Sequence, residues 1–314
     1  MTLPYTKGLH QVGDGVWAWL APDGSWGLSN AGLIAGESST LLVDTLFDLE
    51  LTREMLAAMS AITGVRPIAD LVNTHANGDH CYGNQLLDNA VRIHAAPEAI
   101  HEMHEVPPQV LDTMLGTDLG PTLTPYLRRI FGQFRFDDIT VRVPDTTVSG
   151  TTTIDVSGRV VQVLPLGPAH THGDVAVWVP DASVLFTGDL LFIDGSPIMW
   201  AGPTASWIAA CDTMLELNPS VVVPGHGPVT DASGIRAVRD YMVHVGQAVR
   251  AGVEAGKTWQ QTATDIDLGR FATLPDAERI AITVYHEFRA LDPATPPADI
   301  AELFTAMAQW DATR

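Results

Sequence analysis

The sequence predicts a mixed α/β (α+β) fold built of layers, and three observations carry that expectation. Short β-rich runs alternate with helical ones in two successive stretches. Each β-rich half is followed by helices, which suggests stacked layers of α and β structure. After Pro224 the chain turns mainly helical to its end. At 314 residues the expectation is one layered domain, residues 1–230, with a helical C-terminal extension, residues 231–314, packed on it.

The elements follow in order. Val16 to Leu20, Ala31 to Ala35 and Thr40 to Val43 read as strands between Gly-rich turns. Leu49 to Ile62 carries apolar residues at helical spacing. Ile68 to Val72 is a strand that runs straight into Asn73-Thr74-His75-Ala76-Asn77-Gly78-Asp79-His80, and Val91 to His94 reads as another. The stretch from Glu105 to Phe136 sets Pro107, Pro108, Pro121 and Pro125 among Leu115, Tyr126, Phe131 and Phe134, and reads as an insertion of short helices. From Ile139 the strand pattern resumes through Ile154, then Val160 to Leu164, Val175 to Val179 and Val184 to Phe186. A helix near Ala205 to Leu217, the strand Val221 to Val223, and helices from about Gly234 complete the chain, with no fixed-period repeat or low-complexity tract.

Composition narrows the function. The hydrophobic fraction is 46%, ordinary for a globular protein, and no apolar run approaches the ~18 residues of a membrane span. Met1 to Lys7 has neither a clustered positive start nor an apolar core, so a secretory signal is not expected and the cytoplasm is the default compartment. Two cysteines, Cys81 and Cys211, exclude a Cys-rich zinc module and read as buried free thiols. A net charge of −20, from 37 acidic and 17 basic residues, repels a phosphate backbone, which argues against nucleic-acid partners. The expected partner is a small molecule, free or carrier-bound, with no membrane; assembly into a homo-oligomer stays open.

The chemistry sits where strands end. His75-Ala76-Asn77-Gly78-Asp79-His80 sets two imidazoles and a carboxylate within one short turn, donors suited to zinc or iron. Alone, the cluster has an ordinary reading too: histidines at a helix start with Asp79 as its N-cap. Three further strand ends add weight. His170 lies in Gly167-Pro168-Ala169-His170-Thr171-His172-Gly173-Asp174, Asp189 in Phe186-Thr187-Gly188-Asp189, and His226 in Val223-Pro224-Gly225-His226-Gly227. Each time a hydrophobic run stops at small residues, where the backbone can turn sharply, and at a ligand-type side chain.

In this order the motifs resemble the metallo-β-lactamase superfamily, whose usual pattern is His-x-His-x-Asp-His, then His, Asp and His. The likeness covers roughly Val16 to Gly227. It implies an αββα sandwich with metals at one edge between the sheets, His75 and His170 in a first metal site, Asp79, His80 and His226 in a second, and Asp189 bridging both. One departure is Asn77, where the family normally has its second histidine. An amide oxygen is a weaker ligand than imidazole, so one or two ions, Zn2+ or Fe, are expected, with the second site the more complete. Asp79 and Asp189 are the candidate catalytic proton acceptors, a task that needs hydrogen-bond reach.

Phe192, Met199 and Trp200 follow Asp189 and are candidate substrate-binding residues; with Ile198, Trp26 and the insertion's aromatics they read either as core packing or as the wall of a pocket for an apolar or aromatic acyl group. His172 stands outside the family pattern, and His10, His94, His101, His104, His244 and His286 have no motif around them. The expected activity is hydrolysis or related acyl chemistry on a thioester, lactone or ester. Ser29-Asn30-Ala31-Gly32 and Trp200-Ala201-Gly202-Pro203 further resemble the cyclase/thioesterase branch of aromatic polyketide pathways, and a non-catalytic binding protein with a degenerate site is the remaining alternative. β-Lactam hydrolysis is disfavoured, because the main lactamase classes place cysteine where Asp189 stands.

Overall fold

The computed structural model describes residues 3–105 and 107–313. Its strands are β1 (Gly8–Gly13), β2 (Val16–Leu20), β3 (Ala31–Ala35), β4 (Thr40–Val43), β5 (Ile68–Val72), β6 (Arg92–Ala95), β7 (Thr146–Thr147), β8 (Thr152–Val156), β9 (Arg159–Pro165), β10 (Val175–Val179), β11 (Val184–Phe186) and β12 (Val221–Val223). Its helices are α1 (Leu49–Thr63), α2 (Gly78–Cys81), α3 (Pro97–Glu102), α4 (Pro108–Gly116), α5 (Leu123–Phe131), α6 (Thr204–Glu216), α7 (Ala232–Glu254), α8 (Trp259–Asp265), α9 (Ile280–Leu291) and α10 (Ile300–Ala312).

One sheet runs β1 to β7 in sequence order, and the other runs β12-β11-β10-β9-β8. In the first, β1 to β4 are antiparallel and β4 to β7 parallel. In the second, only β11 and β12 are parallel. The alternation along each strand decides which residues meet. Val16, Ala18 and Leu20 of β2 and Leu41 and Val43 of β4 face Val161, Val163, Val175, Val177, Val179 and Phe186 of the other sheet in one cluster between the layers. Their neighbours Trp19 and Leu42 turn outwards and pack with Met55 and Met59 of α1. The far face of the second sheet, through Ala176, Leu185 and Val222, joins a larger core shared with α6, α7, α9, α10 and the insertion helices. The layers are therefore αββα.

Local chemistry sets the boundaries. Asp48 caps α1 by accepting from Leu51 N at 2.8 Å. Asp299 and Glu302 close a reciprocal capping box on α10. One expectation needs correction, and one strand went unread. The strand pattern from Ile139 is realised only as the two-residue β7 before β8. Pro144 removes a backbone donor there, and Arg142 instead spends its guanidinium on the carbonyls of Leu87, Asp88 and Val91. The polar edge strand β1 carried too little alternation to be read. No helix among the described residues is long and apolar enough to cross a membrane.

Candidate metal centre

Four strand ends converge on one edge of the sandwich. β5 delivers the turn holding His75 and Asn77, and then α2 with Asp79 and His80; the β9–β10 loop delivers His170; a short 3-10 turn after β11 delivers Asp189; the loop after β12 delivers His226. Asn77, not Asp79, is the N-cap of α2, and its side chain makes no capping bond. The loops after β11 and β12 lie against each other so closely that a Cβ at Gly225 would fall 2.0 Å from Asp189 Oδ1, which only glycine tolerates.

Asp189 stands at the middle. Its Oδ2 is 3.8 Å from His75 Nε2, 3.4 Å from His170 Nε2 and 3.4 Å from His226 Nε2, and its Oδ1 is 3.0 Å from His80 Nε2. His226 Nε2 also approaches Asp79 Oδ2 at 3.2 Å. Ligand atoms gather into two groups with the spread a cation needs: His75, His80 and Asp189, and Asp79, His80 and His226. His80 thus belongs to both groups. His170 lies beside Asn77, its Nε2 2.8 Å from Asn77 Oδ1.

The far nitrogen of each ring is already engaged. His80 Nδ1 lies 2.9 Å from Asp44 Oδ2, His170 Nδ1 2.7 Å from Ile198 O, His226 Nδ1 3.1 Å from Gly24 O, and His75 Nδ1 3.0 Å from Thr74 Oγ1. Where the partner is a carboxylate or carbonyl, Nδ1 must donate, so the neutral ring turns an Nε2 lone pair inwards. Inside the centre, His75 Nε2 is buried without a hydrogen-bond partner, and His80 Nε2 and Asp189 Oδ1, 3.0 Å apart, have none but each other. Buried polar atoms are costly unless satisfied, and three converging lone-pair atoms are satisfied together by one cation. The residues fit a divalent metal.

Proton sharing within the cluster points the same way. Burial pushes the Asp189 carboxyl up, but the imidazoles of His226 and His80 outweigh it and hold it well below the usual carboxylate range. Burial works against protonating His226, yet Asp189 and Asp79 carry it up to about 9. His80 is likewise pushed well up, burial being outweighed by Asp189, Asp79 and Asp44. His75 and His170 are pushed down by burial, His75 with help from His80. The carboxylates thus stay ionised and draw protons onto two of the four rings, the charge a bound cation would replace.

A cavity of about 550 Å3 opens onto these side chains. Phe192 and Trp200 line it, as does Trp26; Met199 does not, being fully buried against Gly202 and Thr283, and Ile198 takes its place on the wall. Of the insertion's aromatics, Phe131 reaches the cavity, and Tyr126, Phe134 and Phe136 belong to the core. His172 joins neither ligand group; its ring and backbone N–H both turn to Glu102 Oε1 at the cavity wall. His286 also lines the cavity, and burial lowers it to about 3. Cys81 and Cys211 are free and buried.

The sequence reading missed Asp44, which accepts from Thr74 N at 2.7 Å and Thr74 Oγ1 at 2.8 Å besides fixing His80. The signal was there, since β4 also stops at an acidic residue. The sequence singles out Asn30 only by the likeness of its motif; its amide donates to Pro224 O at 3.0 Å and Gly227 O at 2.8 Å and so clasps the His226 loop. Arg279 and Phe304 on the cavity wall carried no motif at all.

The family model of the metallo-beta-lactamase superfamily matches residues 24–226. Among curated proteins, the chain is 24% identical over 231 residues to the acyl-coenzyme A thioesterase MBLAC2 of Homo sapiens, covering 68% of this chain and 79% of that one. Among solved structures it is similar to the stereoselective inverting sec-alkylsulfatase Pisa1 from Pseudomonas sp. (TM-score 0.66, 16% identity), over 96% of this chain but only 50% of that one. It is also similar to a metallo-beta-lactamase from Pontibacter korlensis (TM-score 0.57, 19% identity), over 76% of this chain and 99% of that one.

Proposed function

Because this chain belongs to the metallo-beta-lactamase superfamily and is a hydrolase of that fold, we propose that it cleaves an acyl thioester, lactone or ester with an apolar or aromatic body. The observation that carries the reading is the apolar cavity opening directly onto the six candidate ligands. Phe192 stacks on His226 with ring centroids 5.2 Å apart and packs at 5.6 Å from His170, so the apolar wall begins at the imidazoles themselves. The thioesterase named among the similar proteins supports the same class of bond.

In this reading His75, His170 and Asp189 would hold a first ion and Asp79, His80, Asp189 and His226 a second, with Asn77 a weak neighbour of the first. A divalent ion such as zinc or iron, when bound, would supply an acidified water, with a pKa towards ~7, and a Lewis acid for a carbonyl. The protein supplies the rest. Asp44, Ile198 O and Gly24 O each engage a ring Nδ1 and so orient three imidazoles with Nε2 towards the centre. Asp189 is surrounded by four rings and is committed to holding the centre. Asp79 faces the cavity with its side chain 14% exposed, so it is the better placed of the two to accept a proton from attacking water. Trp26, Ile198, Phe192 and Trp200 exclude solvent around the acyl body. The two buried thiols fit a reducing compartment such as the cytoplasm.

Elemental analysis of the purified protein, followed by turnover of thioesters, lactones, esters, a β-lactam and a phosphodiester, tests the proposal. Metal below about 0.2 equivalents after metal-supplemented expression removes it, because such a site must hold its ion to work. Faster turnover of the lactam or the diester than of every acyl substrate removes the substrate class and leaves the metal centre standing. A cyclised product from a poly-β-keto thioester would select the cyclase branch over plain hydrolysis.

A further inference from the structure

The region matched by the family model ends at residue 226, yet a large part of the cavity wall comes from beyond it: Arg279, His286, Ile300, Leu303 and Phe304. Ile300, Leu303 and Phe304 are spaced along α10 so that they share one helical face. Phe304 is 4% exposed, and its ring meets three aromatic rings from three separate segments. Trp26, from the loop after β2, is at 6.2 Å; Phe131 of α5 is at 5.7 Å; and Trp200, from the segment after Asp189, is at 6.2 Å. A chain of contacts links this ring to the candidate metal centre. His226 stacks on Phe192, Arg279 lies over Phe192 at 5.4 Å and over Trp26 at 4.5 Å, and Trp26 meets Phe304.

The two ends of the cavity differ in kind. Glu105 and His172 are 60% and 61% exposed and mark a polar mouth. Trp26, Phe131 and Phe304 are buried and mark a closed, mainly aromatic end, with the buried Arg279 over Trp26 on the side of Phe192. A substrate whose carbonyl sits at the ligands must release its leaving group through the mouth, which leaves the closed end for the acyl body. We propose that α10 is the end wall of the acyl pocket and that Phe304 sets the length of acyl group the enzyme accepts; this rests on the acyl-hydrolase reading above. The wall is fixed and not a loose tail. Trp310 Nε1 donates to Ala263 O at 2.9 Å, Arg129 pairs with Asp311 at 2.8 Å, and Tyr126 OH points to Met307 Sδ at 3.8 Å.

The test uses two substitutions of opposite sign, Phe304→Ala and Phe304→Trp, in the metal-loaded full chain. Binding of straight-chain carboxylates of increasing length is measured by calorimetry, and kcat/KM is measured on N-acetylcysteamine thioesters from butanoyl to dodecanoyl. Removing the ring is expected to move the preferred length upwards and to change the long-to-short ratio by about tenfold or more, as a few methylenes in an apolar pocket do. The Trp variant should move it downwards. Phe304→Leu, which keeps an apolar side chain in the packing, stands in if the Ala variant does not fold. An unchanged length preference in binding, or a shift in the same direction in both variants, overturns the proposal. If the wild type turns over no acyl substrate, the functional reading falls, and the binding series still decides whether Phe304 is the wall.

Discussion

His80 and Asp44 are joined by a buried hydrogen bond of 2.9 Å across thirty-six residues of sequence, and the same carboxylate anchors Thr74 at the root of the His75 turn. One side chain therefore orients two ligand-bearing segments. Replacing Asp44 with Ala should lower metal affinity by about 10–100-fold, the usual effect of removing the partner of a ligating imidazole, with Asp44→Asn intermediate. Competition against a chelator measures it, and wild-type affinity in Asp44→Ala would show that His80 needs no such support.

Asn77 and Asp189 predict opposite results. Asn77→His restores an imidazole beside His170 and should raise metal content towards two equivalents. Asp189→Ala removes the carboxylate shared by all four rings and should strip both positions. Equal metal loss to chelator in wild type and Asp189→Ala would refute the bridging role.

Metal affinity should rise with pH. His226 lies up at about 9 in the metal-free cluster, so below that value an ion must displace a proton, and affinity should climb about tenfold per pH unit for each proton released, less steeply once pH passes about 9. A proton-release titration on adding zinc checks it; a pH-independent affinity would contradict the raised imidazole.

The metal-free protein should show the reverse trend in stability. His226 is raised from 6.5 to about 9, so its contribution is full below about 6.5 and is lost as pH rises through about 9. Asp174 is raised by burial from 3.8 to about 8, so the unfolded chain ionises first and stability falls from about 3.8 upwards until both states are charged. Both effects run the same way, and Tm of metal-free protein should drop between about pH 6 and about pH 9. A Tm that rises over that window would contradict both.

Trp200 should matter for selectivity. It lines the cavity and its backbone N–H donates to His170 O at 2.7 Å. Trp200→Ala should erase most of the gain in kcat/KM that a longer acyl chain gives, a loss of about 1.5–3 kcal/mol for one large apolar contact. An undiminished chain-length gain would place the acyl group elsewhere.

The ligand-bearing part of this fold was legible because each strand ends in a local motif. Val184 to Phe186 stops at Thr187-Gly188-Asp189, and Val221 to Val223 at Pro224-Gly225-His226; the side chains these ends present do converge. Asp44 escaped because one acidic residue after a strand is common and its partner lies far along the chain. In sequence Met199 reads as wall beside Ile198, because adjacent residues in a non-repeating segment give no period from which to tell wall from core. Phe304 was beyond reach altogether. Its role depends on where α10 docks, a tertiary relationship that no spacing in the sequence records.

The position of α10 also orders events during synthesis. A growing chain that has emerged as far as residue 231 already holds every candidate ligand, so an ion could be gathered while the ribosome is still adding the last helices. Until Ile300, Leu303 and Phe304 arrive, Trp26, Phe131 and Trp200 lack their common neighbour, and the nascent protein presents that aromatic surface to water and to other chains. The C-terminal helix is thus a cover for aromatic surface as well as a wall, and a chain cut before Ile300 is expected to aggregate more readily than the full one.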